Sequence, residues 1–272
     1  MTACVSRMAR LLWLVASASL FLQCAAVRTT GQVTFISLEE EIALGKEVSV
    51  QAGQILRLVR NQEVSQYFKE MASRIGAASD WSGLAYTIHV VNEPDLNHFS
   101  LPGGQIFLFR GLLESAETPD QVAAVIAHEM AHLAARDGTE RLALKYGGAM
   151  AAQSVVGQNP EIARQIITNL YSKDTILDYP KPAEQEADRK CVKYVWKALY
   201  QPRSAVEMLA LLRQAEKSHP LLVTLLNRTH PSLSSRYRAV KKEVKMYSAP
   251  DETAPETEPF NHIKAILARI PY

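Results

Sequence analysis

Apolar residues recur three and four positions apart along most of the chain beyond residue 36, the spacing of helices that each bury one face. Ser37, with Glu40 three residues on, forms a capping box and opens a helix whose apolar side carries Ile42, Leu44, Val48, Ile55, Leu56 and Val59. A second amphipathic helix is predicted from about Gln62 to Ala78, with Val64, Tyr67, Phe68, Met71 and Ile75 at helical spacing. The pattern then changes. Residues 85–91 are rich in β-branched and aromatic types, and Gln105-Ile106-Phe107-Leu108-Phe109 follows the turn signal Pro102-Gly103-Gly104, so two strands are predicted. The helical period returns over about 119–136, 139–156, 160–172, 182–199, 203–217 and 232–245. Pro250, Pro255 and Pro259, with several acids, mark 248–258 as a solvated loop before a short helix at 260–269. The reading is a mainly helical α+β chain with a small sheet, organised as 1–26, 27–247 and 248–272.

Composition narrows the class. Hydrophobic residues at 47% and charged residues at 21% allow a buried core but are too polar for a protein of many membrane spans. A net charge of +2 without a basic stripe leaves no nucleic-acid footprint. Arg7 and Arg10 precede an apolar or small run from Leu11 to Leu22, which as a helix covers about 18 Å, short of the roughly 30 Å hydrocarbon core. That is the pattern of a secretory signal over 1–26, with a short uncleaved anchor as the alternative. Leu20-Phe21-Leu22-Gln23-Cys24 resembles a bacterial lipoprotein signal in which Cys24 becomes lipidated; cleavage after Ala26 is the other outcome. With Cys4 and Cys24 committed there, Cys191 stands alone, so no internal disulfide and no cysteine-ligated zinc is expected.

The candidate chemistry lies in the helix predicted at 119–137. Thr118 is its N-cap, Pro119 suits the first helical position, Gln121 completes a capping box, and Gly138 is the expected stop. Within it, His128-Glu129-Met130-Ala131-His132 puts two imidazoles four apart on one helix face, so both can reach one ion at about 2.0–2.1 Å. Glu129 lies about 100° round the helix, close enough to take a proton from a water on that ion without binding the ion itself. The plain alternative is a buried helix whose histidines make ordinary hydrogen bonds. The flanks Val122–Ala127 and Met130–Ala135 are largely apolar or small, so the two histidines and the glutamate are expected to be deeply buried, where polar groups without partners are costly. Glu184-Gln185-Glu186-Ala187-Asp188 opens a later helix with Glu184 and Asp188 on one face: Glu184 as third ligand, Asp188 accepting the free ring N–H of His128. Glu186 points elsewhere, towards Lys190.

These blocks, in this order, resemble the zinc metallopeptidase family of HtpX and the CAAX prenyl proteases, in its soluble periplasmic, lipoprotein-like branch. Leu101-Pro102-Gly103-Gly104-Gln105-Ile106-Phe107 with Gly111-Leu112-Leu113 looks like its strand and turn before the zinc helix, and Thr229-His230-Pro231 with Arg236 like a further block. The resemblance implies a gluzincin-like fold with a small sheet beside the HExxH helix and one zinc ion per chain. It implies endopeptidase action on misfolded or misassembled proteins of the bacterial envelope, and the N-terminal pattern adds a membrane anchor through Cys24 as an expectation. It further implies that 105–109 is an edge strand receiving extended substrate along Gly104, Gln105, Ile106 and Phe107, that His230 stabilises the oxyanion or occupies the open zinc position, and that Arg236 anchors the loop or binds a substrate carbonyl. Tyr179-Pro180-Lys181-Pro182 and His98 depart from the family pattern, and His98, His89, His219 and His262 are read as non-ligands. A binding protein or chaperone with a structural or latent zinc is the competing reading.

Overall fold

The computed structural model describes residues 36–146, 160–169, 177–230, 232–250 and 257–272. The signal expected at 1–26, with Cys24, lies outside them, as do Pro231 and parts of the helices predicted at 139–156 and 160–172. Among the described residues no helix is long and apolar enough to cross a membrane.

The elements follow from local chemistry. In α1 (Leu38–Ile55) the capping box forms: Glu40 N–H donates to Ser37 Oγ at 3.2 Å and Ser37 N–H to Glu40 Oε2 at 2.7 Å. Helix α2 (Gln62–Ala78) buries Val64, Phe68, Met71 and Ile75, the three-and-four spacing of its apolar face. Three strands follow: β1 (Thr87–Val91), β2 (His98–Leu101) and β3 (Gln105–Phe109). The turn between β2 and β3 needs Gly103 and Gly104 at φ of +73° and +86°, a backbone region that side chains with a Cβ rarely enter.

The sheet order is β1-β3-β2, with β3 parallel to β1 and antiparallel to β2. This corrects the expectation of an edge at 105–109. Thr87↔Gln105 through Val91↔Phe109 takes one side of β3, and His98↔Leu108 through Leu101↔Gln105 takes the other. All five β3 residues are buried, and Gly104 C=O already accepts from Thr87 N–H at 2.9 Å. Substrate therefore has no free backbone ladder to join on Gln105, Ile106 and Phe107. Successive β3 side chains alternate between two cores: Ile106 and Leu108 face the main helical core, whereas Phe107 and Phe109 face a smaller cluster with Leu44, Val48 and Phe99.

After the short α3 (Arg110–Ser115) comes α4 (Pro119–Ala135), in which every residue from Gln121 to Leu133 is buried. It packs along α7 (Lys181–Lys197) and against α2, β2 and α8 (Ser204–Ser218). The expected stop at Gly138 is also corrected. Arg136 ends the helix in the left-handed region (φ 59°), and α5 (Asp137–Tyr146) starts at the next residue, taking Gly138 inside it. That conformation costs a non-glycine residue on the order of 1–2 kcal/mol. Arg136 offsets it by donating from Nε to Glu41 Oε2 and from Nη2 to Ile36 C=O, both at 2.6 Å. Among the described residues the remaining α-helices are α6 (Pro160–Thr168), α9 (Thr224–Thr229), α10 (Leu233–Glu243) and α11 (Thr257–Ala268). Helix α11 packs on α2 and α3, and the chain beyond it is tied down where Arg110 Nη1 donates to Ile270 C=O at 2.5 Å and Asn92 Nδ2 to Pro271 C=O at 2.6 Å.

Candidate metal centre and active site

Helix α4 presents His128 and His132 one turn apart, and their Nε2 atoms lie 3.1 Å from each other. Glu184, in the first turn of α7, reaches between them: its Oε2 is 3.6 Å from His128 Nε2 and its Oε1 3.4 Å from His132 Nε2. Pro180 and Pro182 set this entry, since proline suits the start of a helix. Three donor atoms on a tetrahedral zinc at 2.0–2.1 Å would stand about 3.3 Å apart. The His128 and His132 Nε2 atoms, 3.1 Å apart, come near that value, and each has one Glu184 oxygen beside it, Oε2 at 3.6 Å and Oε1 at 3.4 Å, so two imidazoles and a carboxylate suited to the ion converge here.

Partners around the three fix their orientation. Asp188 Oδ1 is 3.2 Å from His128 Nδ1, and Asp137 Oδ2 is 2.7 Å from His132 Nδ1. Each leaves Nε2 as the nitrogen turned to the cluster, the arrangement that fixes the tautomer of a metal-bound histidine. Arg236, on α10, is buried with two carboxylates: Nε and Nη2 donate to Asp188 at 2.8 and 2.7 Å, and Nη1 pairs with Glu184 Oε2 at 2.8 Å. Burial alone raises the Glu184 carboxyl, but Arg236, His230 and His132 outweigh it and hold it well below the usual carboxylate range. Asp188 ends at about 2 by the same balance, burial against Arg236 and His128. Burial lowers His132, yet Asp137 and Glu184 push it up to about 10.

Glu129 is fully buried. Its Oε1 accepts from His98 Nδ1 at 2.6 Å and lies 3.3 Å from His230 Nε2, while Oε2 meets no partner in the protein. His230 also places Nδ1 2.9 Å from Glu184 Oε1, so its ring bridges the two glutamates. The potential ligand atoms of His128, His132, Glu184 and His230 all lie within 4.8 Å of one another. A narrow cleft of about 30 Å³, lined by Ala124, Val125, Met208, Leu209 and Leu212 together with Asp188 and Arg236, lies beside His98 and His128.

The structure thus brings together His128, Glu129, His132, Glu184, Asp188, His230 and Arg236, and leaves Gly104, Gln105, Ile106 and Phe107 in the sheet. His89, His219 and His262 join no metal-sized cluster among the described residues. His98, read as a non-ligand, hydrogen-bonds Glu129, and Asp137 and Tyr179, whose ring stacks on His132 at 4.2 Å, carry no role in the sequence reading of the site. Asp137 carried a readable signal, an acid just past the end of the zinc helix. His98 carried none, because only the pairing of β2 with β3 points it at α4.

Residues 58–244 match the model of a family described as peptidase family M48. The mitochondrial metalloendopeptidase OMA1 of Schizosaccharomyces pombe is 30% identical over 180 residues, 65% of this chain and 52% of that protein. The OMA1 metalloendopeptidase of Bos taurus is 31% identical over 57% of this chain and 32% of its own length. The beta-barrel assembly-enhancing protease of Escherichia coli K12 is 23% identical over 74% of this chain and 43% of its own. The chain therefore spans about half the length, or less, of these relatives.

Proposed function

This chain belongs to peptidase family M48, and on that premise we propose that it is a zinc-dependent endopeptidase. The carrying observation is the convergence of His128 Nε2, His132 Nε2 and the Glu184 carboxylate, with contacts of 3.1, 3.4 and 3.6 Å, while Glu129 follows His128 on the same helix. His128, His132 and Glu184 would hold one zinc ion per chain. Zinc supplies a water whose pKa is lowered to about 7. Glu129 would serve as the general base, its Oε2, which meets no partner in the protein, free to accept a proton and later return it to the leaving amine. Asp188 and Asp137 keep the two imidazoles turned inward, and Arg236 neutralises Glu184 and Asp188. His230, whose Nδ1 lies 2.9 Å from Glu184 Oε1, would part from Glu184 when substrate binds. Its ring then lies where it can donate to the oxygen that gains charge.

The charged start and apolar run of residues 7–22 favour an exported protein acting on unfolded or misassembled proteins of the bacterial envelope, with Cys24 as a lipid anchor. A relative named for β-barrel assembly fits that setting.

The test is metal content together with casein hydrolysis, with and without a chelator. Wild type is expected to carry one zinc per chain and to lose activity with it. Glu129→Gln should keep the zinc and lose about 10²–10⁴-fold in rate. A Glu129→Gln protein that still cleaves would overturn the mechanism. Suppression of aggregation by a wild type that never cleaves would replace the enzyme with a binding protein.

A further inference from the structure

The geometry points to a positioning role for His98: we propose that it holds the Glu129 carboxylate in one orientation, so that Oε1 is anchored and Oε2 is presented to the water. The inference rests on the reading of Glu129 as the general base.

His98 opens β2 and is 3% exposed. Its backbone has little freedom. His98 pairs with Leu108 of β3, and the neighbouring Asn97 C=O accepts from Phe109 N–H at 3.0 Å. Its ring is held from two sides, stacked on His230 at 4.6 Å with planes 25° apart and set edge-on to His128 at 5.9 Å. From that fixed ring Nδ1 reaches Glu129 Oε1 at 2.6 Å, short even for a bond to a charged acceptor. The other oxygen, Oε2, is buried and without a protein partner. One oxygen is tied and one is free, the division a base needs if it is to meet its proton in a single geometry. Misplacement by about 1 Å can cost on the order of 10²-fold in rate.

The same three side chains, His98, Glu129 and His230, also have ligand atoms within 4.8 Å of one another, which raises a second metal as the rival reading. Two observations count against it. Ring lone pairs lie in the ring planes, and two stacked rings with centroids 4.6 Å apart and planes within 25° of parallel point their lone pairs side by side and not at one ion about 2.0–2.1 Å from both. The 2.6 Å separation of Nδ1 and Oε1 is that of a hydrogen bond, well under the roughly 3.3 Å between two ligands of one tetrahedral ion.

The test compares His98→Asn with His98→Gln in the full zinc-loaded chain. The asparagine amide nitrogen falls where Nδ1 was, and the glutamine amide reaches past it. His98→Gln is expected to lower kcat about 10²-fold with KM and zinc content unchanged, and His98→Asn to restore kcat to within a few-fold of wild type. A far-downfield imidazole N–H proton in the NMR spectrum should be present in wild type, shifted in Glu129→Gln and absent from both His98 variants. Wild-type kcat in His98→Gln overturns the proposal, as does an equal fall in the two variants at equal thermal stability. If Glu129→Gln still cleaves, the assignment of the base has failed and there is nothing for His98 to position. If Glu129→Gln is inactive while His98→Gln is not, the base stands and only the role of His98 falls.

Discussion

Two aspartates bound to the same helix, α7, are both held at about 2, and they arrive there by different routes. Asp188, on its buried face, is pushed up strongly by burial and pulled down by Arg236 and His128. Asp80, just after α2, meets the outer face, where Lys193 Nζ donates to it at 2.9 Å and Lys190 Nζ stands at 3.2 Å. Burial raises Asp80 as well, but less stands against it, since over a third of its side chain is exposed. Equal acidity therefore hides unequal stakes. Around Asp188 a desolvation penalty is outweighed by attraction to Arg236 and His128, so removing one partner strands the other. Around Asp80 water replaces any partner that is lost.

The largest expected break comes at Arg236. Arg236→Met leaves Glu184 and Asp188 buried without their cation and should cost about 3–5 kcal/mol in chemical denaturation of the metal-free protein. A loss under about 1 kcal/mol would mean that water enters the cluster and that the two faces of α7 do not differ as described. Next comes Asp188→Asn, which frees the His128 ring while keeping the side chain's size. Zinc affinity, followed by competition with a chromogenic chelator, should fall about 10–100-fold. Unchanged affinity would show that Arg236, not His128, is the partner that matters to Asp188.

The smallest effect is expected at Asp80→Asn, on the order of 0.2–1 kcal/mol at neutral pH. Its pH dependence sharpens the comparison. The folded-state value is depressed, so the contribution is complete above the unfolded value of about 3.9 and is lost as pH falls through about 2. The gap in melting temperature between wild type and Asp80→Asn should close over that interval. A gap that persists at pH 2 would mean that Asp80 acts through packing and not through its charge.

Much of the site was legible because its parts are local in sequence. A four-residue spacing on a helix puts His128 beside His132, and Glu184 beside Asp188, whatever surrounds them. Caps at Ser37 and Thr118 are likewise short-range chemistry, and both appear in the structure. The misreadings involve partners far away in the chain. A four-residue strand containing His98 and Ser100 carries no pattern of its own, and it exists because β3 pairs with it. The apolar run at 105–109 looks the same whether it lies at an edge or in the centre, and only the arrival of both neighbours made it central. Gly138 looked like a helix stop, but a buried pairing of Arg136 with Glu41, 95 residues away, moved the break to Arg136 and brought Asp137 round to His132.

From the sequence alone follow the succession of helices, the burial of α4 and the placing of His128 with His132 and of Glu184 with Asp188 on one helix face each, because each depends on the periodicity of a single helix. Tertiary structure alone decided which carboxylates and imidazoles meet: Glu184 between the two histidines, Arg236 across Glu184 and Asp188, His98 against Glu129. Those encounters depend on the packing of α4, α7, α10 and β2 in three dimensions, and no spacing along one element encodes a contact between two.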